Sequence, residues 1–183
     1  MLPKFDQSTM GQREPEYLAW AALCVAMDVQ SYVELGTGSA HYMTRAGIPR
    51  VASIDINNVP DRHNPHEERG VIYRRGSSHD SALAQEVITS LGGSVDAVFI
   101  DADHEGEAPM RDFDLWYPHA RKLIGFHDIQ IPHIMQNVWP VVSLHRLSVK
   151  LIGCDIESAM SWQGPNCPWD GVLAGGGIGV IFK

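Results

Sequence analysis

The stretch Val33-Glu34-Leu35-Gly36-Thr37-Gly38-Ser39-Ala40, followed by Ser53-Ile54-Asp55, constrains this chain more than any other. An apolar run from Tyr32 to Leu35 stops at two glycines, which let backbone pass close to a ligand. The residues from Ala40 to Ala46 then start a helix whose first N–H groups are expected to face that ligand. Asp55 closes a second short apolar run, where a ribose-binding acid belongs, about 20 residues after the glycine turn. Turn and acid together imply an adenosine-type ligand.

The rest of the motif narrows the choice. A dinucleotide fold calls for G-x-G-x-x-G around a pyrophosphate. Here the places for a third glycine hold Ala40 and His41. Glu34 stands two residues before the first glycine, where a carboxylate repels a pyrophosphate but suits a cationic, amine-bearing ligand. S-adenosylmethionine carries a sulfonium and an amino group and no phosphate. The Glu-Leu-Gly-Thr-Gly-Ser block resembles the first motif of class I S-adenosylmethionine-dependent methyltransferases. The resemblance implies that Glu34, Gly36, Thr37 and Gly38 hold the methionine end and Asp55 the ribose hydroxyls.

Strand candidates fall at Tyr32–Leu35, Val51–Ile54, Val71–Tyr73, Val95–Ile100, Leu123–Phe126, Val149–Ile152 and Ile178–Phe182. Helical spacing marks Pro15–Met27, Ala40–Ala46, Ser81–Leu91, Pro109–Pro118 and His133–His145. Strands alternating with helices predict one α/β domain over residues 1–183. Its architecture is a Rossmann-like, doubly wound, mainly parallel seven-stranded sheet with helices on both faces. Residues 1–13 read as an N-terminal arm, and the Gly/Pro-rich stretch 163–177 as an irregular loop before the last strand. Functional residues should collect at the carboxyl ends of the strands.

Two further strand ends carry chemistry: Phe99-Ile100-Asp101-Ala102-Asp103-His104 and Leu123-Ile124-Gly125-Phe126-His127-Asp128. If the two strands are neighbours, Asp101, His127 and Asp128 converge. Two carboxylates and an imidazole would hold a divalent cation, Mg²⁺ or Mn²⁺ first, with Fe²⁺ or Zn²⁺ able to compete. The pairing is similar to that of divalent-metal-dependent O-methyltransferases such as the catechol and caffeoyl-CoA enzymes. It is closer to the group of macrolide-sugar O-methyltransferases and cephalosporin-hydroxylase-like proteins, in which Asp-x-x-His follows strand four and an acidic pair follows strand five. Asp101-x-x-His104 fits the first pattern and Asp128 the second member of the pair, while His127 stands where an acid is usual. The resemblance implies metal-assisted O-methylation of a hydroxylated small molecule or sugar, with His104 as the base beside Asp101. An unperturbed histidine titrates near ~6.5, which suits that task.

Structural roles compete at several of these positions. Asp101 can contact the methionine amino group instead of a metal. Asp103 can cap the following helix. His104 can be a loop residue and His127 a core histidine. Ser77 and Ser78 match the family's adenine-lining turn, although Ser78 or Asp80 can also cap the helix that follows. Arg62-His63-Asn64-Pro65-His66-Glu67 reads as a polar loop, Trp116 and Tyr117 as core. Trp139 reads as core or as a wall of the acceptor pocket, and Gln12 reaches the cofactor on no signal the sequence decides.

Net charge of −8 disfavours bulk attraction to nucleic acid or an anionic membrane, so the expected partner is a small-molecule acceptor. Residues 1–11 hold no apolar signal core, and three widely spaced cysteines (Cys24, Cys154, Cys167) read as reduced thiols, which together predict a cytoplasmic protein. Subunits of this size commonly pair symmetrically, so a homo-oligomer is compatible. Two other readings stand: an NAD-dependent oxidoreductase, and a degenerate methyltransferase-like scaffold. The second draws on the compact size and on Arg121-Lys122, which replace the usual Gly-Gly before strand five.

Overall fold

Residues 31–35 and 95–100 have side chains buried at every position. Only strands covered on both faces show that pattern, and these two lie at the centre of a sheet. A computed structural model describes residues 2–4, 14–36, 38–57, 70–144, 147–151 and 176–183. Its strands are β1 (Ser31–Leu35), β2 (Arg50–Asp55), β3 (Val71–Arg75), β4 (Val95–Ile100), β5 (Ala120–Phe126), β6 (Ser148–Leu151) and β7 (Ile178–Phe182). They form one seven-stranded sheet in the order β3-β2-β1-β4-β5-β7-β6. The first five pair parallel, and β7 runs antiparallel to both β5 and β6.

Successive residues of a strand face opposite sides, which sorts the core into two layers. On one side Val33, Leu35, Val98, Ile100, Ile124 and Phe126 pack under α3 (Ser81–Ser90) and α4 (Ala108–Trp116). On the other, Tyr32, Ala97, Phe99 and Leu123 pack under α1 (Glu14–Ala26) and α2 (Ala40–Arg45). The expected doubly wound sheet with helices on both faces is what forms. Among the described residues, no helix is long and apolar enough to cross a membrane. Cys24 is a buried free thiol, and burial pushes it up from its ordinary value. Cys154, Cys167, the 62–67 stretch, Gln12 and loop 163–175 lie outside the described residues.

One element departs from expectation. The segment read as a single helix over His133–His145 is a π-helical turn, Ile134–Val138, followed by the short α5 (Trp139–Val142). Pro140 is the physical reason. It has no N–H, and its ring crowds the carbonyl four residues back, so a regular helix cannot run through it. It is accommodated in the first turn of α5 instead. Trp139 is buried against β7, as its core reading expects, and a Cβ on Gly179 would lie 2.2 Å from its ring. Gly179→Ala should therefore lower stability by about 1–3 kcal/mol through overpacking. A urea melt of the variant against wild type reads this directly, and an unchanged midpoint would remove the constraint.

Candidate active site

Sheet register decides which side chains meet. Leu35 lies beside Ile54 on one side and Ile100 on the other, and Ile100 lies beside Phe126. The next residues continue the same ladder. Gly36 N donates to Ile54 O (2.8 Å), Asp101 N to Leu35 O (2.9 Å) and His127 N to Ile100 O (3.0 Å). Asp55, Gly36, Asp101 and His127 thus form one row across the carboxyl ends of four strands. The row crosses the gap between β1 and β4, where the strand order reverses and open α/β sheets bind ligands.

The row opens into a cleft of about 550 Å³ lined by Gly36, Gly38, Asp55, Ser77, Ser78 and Asp101 among others. Gly36 has φ +82°, and a Cβ there would sit 2.1 Å from Asp101 O. The glycine therefore lets the end of β4 close against the turn. Ser77 Oγ accepts from His79 N (3.2 Å), and Asp80, not Ser78, caps α3 by accepting from Ala82 N and Leu83 N. Asp55 Oδ1 accepts from Asn57 N at 2.7 Å, which fixes the carboxylate at the edge of the cleft. Thr37 lies outside the described residues.

Glu34 corrects one expectation. It is fully buried beneath the turn, and its Oε1 accepts from Gly38 N (2.9 Å), Ser39 N (2.5 Å) and Ala40 N (3.0 Å). Tyr17 and Tyr32 donate their hydroxyls to Oε2 at 3.0 and 3.1 Å. The Ala40 N–H at the start of α2, with those of Gly38 and Ser39 just before it, therefore faces this carboxylate and not a ligand. The reason is distance along the chain: a strand-end acid two residues before a glycine turn is the anion nearest those donors. Asp103 is corrected as well. It accepts from Glu105 N (2.9 Å) in a local turn, while α4 begins at Ala108, beyond its reach as a cap.

On the far side of Asp101 lies a second cluster. Asp101, His104, His127 and Asp128 each offer one ligand atom, all within 4.8 Å of one another. His127 Nδ1 sits 3.0 Å from Asp101 Oδ1 and 3.4 Å from Asp128 Oδ1. His104 Nε2 sits 3.6 Å from both Asp101 Oδ1 and Asp128 Oδ2 and makes no hydrogen bond. Asp128 is held at φ +56°, a conformation uncommon outside glycine, asparagine and aspartate. Burial alone would push His127 down from its ordinary value. The Asp101 charge and hydrogen bond, with the Asp128 and Glu16 carboxylates close to the ring, outweigh it and raise the imidazole well above it. His127 is thus no mere core histidine, since both ring nitrogens face carboxylates.

Two buried acids near the site escaped the sequence reading. Glu16 on α1 lies 3.6 Å from His127 Nε2, and Asp112 on α4 lies 3.4 Å from His79 Nε2. Each had a visible signal, because each occupies the buried stripe of its helix. Glu16 precedes Trp20 and Cys24 at four-residue spacing, and Asp112 sits between Ala108 and Trp116. Arg121 and Lys122 serve structure at the other end of the strands: Arg121 Nη2 pairs with Asp96 at 2.6 Å, and Lys122 donates to Met27 O and Asp28 O.

A cleft of this size at the switch point of a mainly parallel sheet is the ligand-binding arrangement of a Rossmann-like domain. Residues 33–129, more than half of the chain, match the profile of a methyltransferase-domain family, and the chain belongs to that family. Comparison with curated proteins gave no match. Solved structures share the fold at low identity. The O-methyltransferase TomG from Streptomyces achromogenes, involved in tomaymycin synthesis and bound to SAM, aligns at 12% identity and TM-score 0.66 over 100% of this chain and 92% of its own. An O-methyltransferase from Bacillus cereus with SAH aligns at 15% and 0.62, over 100% and 84%. MycE methyltransferase from the mycinamycin biosynthetic pathway, with Mg, SAH and mycinamycin VI, aligns at 16% and 0.50 over 68% of this chain. The chain spans 35% of the length of that MycE structure.

The Glu34 carboxyl gives a pH signature. Burial pushes it up from 4.5 to about 7, against Ser39 N–H, Gly38 N–H and Tyr17, which hold it down. A carboxyl with its folded value above its unfolded one stabilises the fold fully below the unfolded value, and that contribution is lost as pH rises through the folded value. Wild type should therefore lose stability relative to Glu34→Gln between about 4.5 and about 7. Paired urea melts across that range check the sign, and an opposite slope would show the carboxylate ionised throughout.

Proposed function

We propose that this methyltransferase is an S-adenosylmethionine-dependent O-methyltransferase, divalent-metal-assisted, acting on a hydroxylated small molecule or sugar. The observation that carries the reading is Asp101, which lines the cofactor cleft and also belongs to the Asp101/His104/His127/Asp128 cluster. A donor and an ion held on either side of one carboxylate share a single mouth. The donor set fits a cation: two carboxylates and an imidazole converge, and His104 Nε2 is buried without a hydrogen bond. MycE, which shares the fold, is described with Mg and SAH together, which supports the same pairing here.

In this reading Gly36 and Gly38 carry the methionine end, Asp55 takes the ribose hydroxyls, and Ser77 and Ser78 line the adenine. Thr37, within the same motif, belongs to the methionine end by resemblance. Asp101, His127 and Asp128 hold the ion. A bound divalent cation lowers the pKa of a coordinated hydroxyl and fixes it for attack. His104 accepts the acceptor's proton at Nε2. S-adenosylmethionine, when bound, would supply the methyl carbon to the acceptor oxygen and take the carbon–sulfur electron pair on its sulfur. Glu34's hold on the Gly38, Ser39 and Ala40 N–H groups weighs against a pyrophosphate there and thus against the NAD alternative. Arg121 and Lys122 pair with Asp96 and with Met27 O, away from the cleft lining, so their presence before β5 does not by itself favour a degenerate scaffold.

Calorimetry and kinetics divide these roles. Asp55→Ala should weaken SAH binding by about 10–100-fold, the worth of a hydrogen bond to a charged group. Asp128→Asn should leave SAH affinity intact and cut metal-dependent turnover; equal SAH affinity in wild type and Asp55→Ala would refute the ribose assignment. His104→Gln should keep Mn²⁺ affinity while lowering kcat by about 10²–10⁴-fold, the usual scale for a lost general base. A matching loss of Mn²⁺ binding would make His104 a ligand instead.

A further inference from the structure

Glu16 lies outside the Asp101/His104/His127/Asp128 cluster, yet it is 1% exposed and turned toward it. Its Oε2 accepts from Gly177 N at 2.5 Å, at the entry to β7. Its Oε1 has no hydrogen-bond partner and lies 3.6 Å from His127 Nε2, which is itself buried and without one. Two orphaned buried polar atoms that face each other are costly unless a small movement joins them. The imidazole plane is held meanwhile, since Phe99 packs on it with ring centres 5.9 Å apart. Its opposite nitrogen, Nδ1, points at Asp101 Oδ1 and Asp128 Oδ1.

A neutral imidazole carries one N–H, and the nitrogen that binds a cation must be the bare one. A carboxylate behind the ring decides which nitrogen that is, because it can only accept. We propose that Glu16 is the positioning residue of the metal centre: it takes the Nε2–H of His127 and so presents Nδ1, with its lone pair, to the ion. The inference rests on the metal reading above. It also carries a preference. With an imidazole nitrogen fixed in the donor set, Mn²⁺ and Zn²⁺ are favoured over Mg²⁺, which takes oxygen ligands.

Glu16→Gln separates this role from a packing one. The single amide oxygen of the variant is claimed by Gly177 N–H, so its NH₂ faces His127 Nε2 and favours the wrong tautomer. Titration calorimetry with Mn²⁺ should show affinity about 10–100-fold weaker, the usual effect of losing such a partner. SAH affinity should stay within about twofold, since Glu16 does not line the cleft. Equal Mn²⁺ affinity in wild type and variant overturns the proposal. Long-range ¹H–¹⁵N correlation spectra of Zn²⁺-loaded wild type supply a readout that needs no variant. Protonated Nε2 with Nδ1 on the metal supports the assignment, and protonated Nδ1 overturns it. If wild type binds neither Mn²⁺ nor Zn²⁺, the metal reading itself falls and Glu16 loses this role with it.

Discussion

The register between β1, β4 and β5 is the constraint on which this site depends. Leu35, Ile100 and Phe126 stand side by side, so the first residue past each strand lands in a common row. Side chains alternate along a strand, so a slip of one residue in either pairing would send its functional group to the opposite face. The slip is prevented by burial. Val98 and Ile100 belong under α3 and α4, Ala97 and Phe99 under α1 and α2, and neither set can exchange faces without moving polar groups into the core. The chemistry at the rim is thus specified by apolar packing in the interior.

Within that row, Asp101 joins two environments of opposite character. Toward the turn, its backbone carbonyl crowds Gly36, and the turn is held from below by a carboxylate that saturates its N–H groups. Toward β5, its side chain meets imidazoles and a second carboxylate. The first environment is rigid and internally neutralised. The second concentrates negative charge and buried nitrogen without a full set of partners, an arrangement that folding alone does not favour.

Much of this was legible in the sequence, for physical reasons that differ by element. β4 and β7 were read with their observed bounds because a strand covered on both faces is a short apolar block with clear edges. The meeting of residues 101, 127 and 128 followed on condition that their strands are neighbours, as β4 and β5 are. The direction of the α2 N–H groups did not, because the motif does not show whether an adjacent acid lies beneath the turn or beside the ligand. The π-helical turn was hidden behind an apolar spacing that ignored Pro140. Glu16 and Asp112 carry no strand-end signal, since both acids interrupt buried helical stripes.

Asp128 has a consequence of its own. Its φ of +56° places an L-residue with a Cβ where few side chains are comfortable. Aspartate and asparagine are among the residues that tolerate it, and glycine tolerates it freely but brings no ligand atom. Glutamate would offer the same charge on a longer arm while straining the backbone beneath it. The corner therefore filters its own mutational neighbours by main-chain shape before side-chain chemistry is consulted.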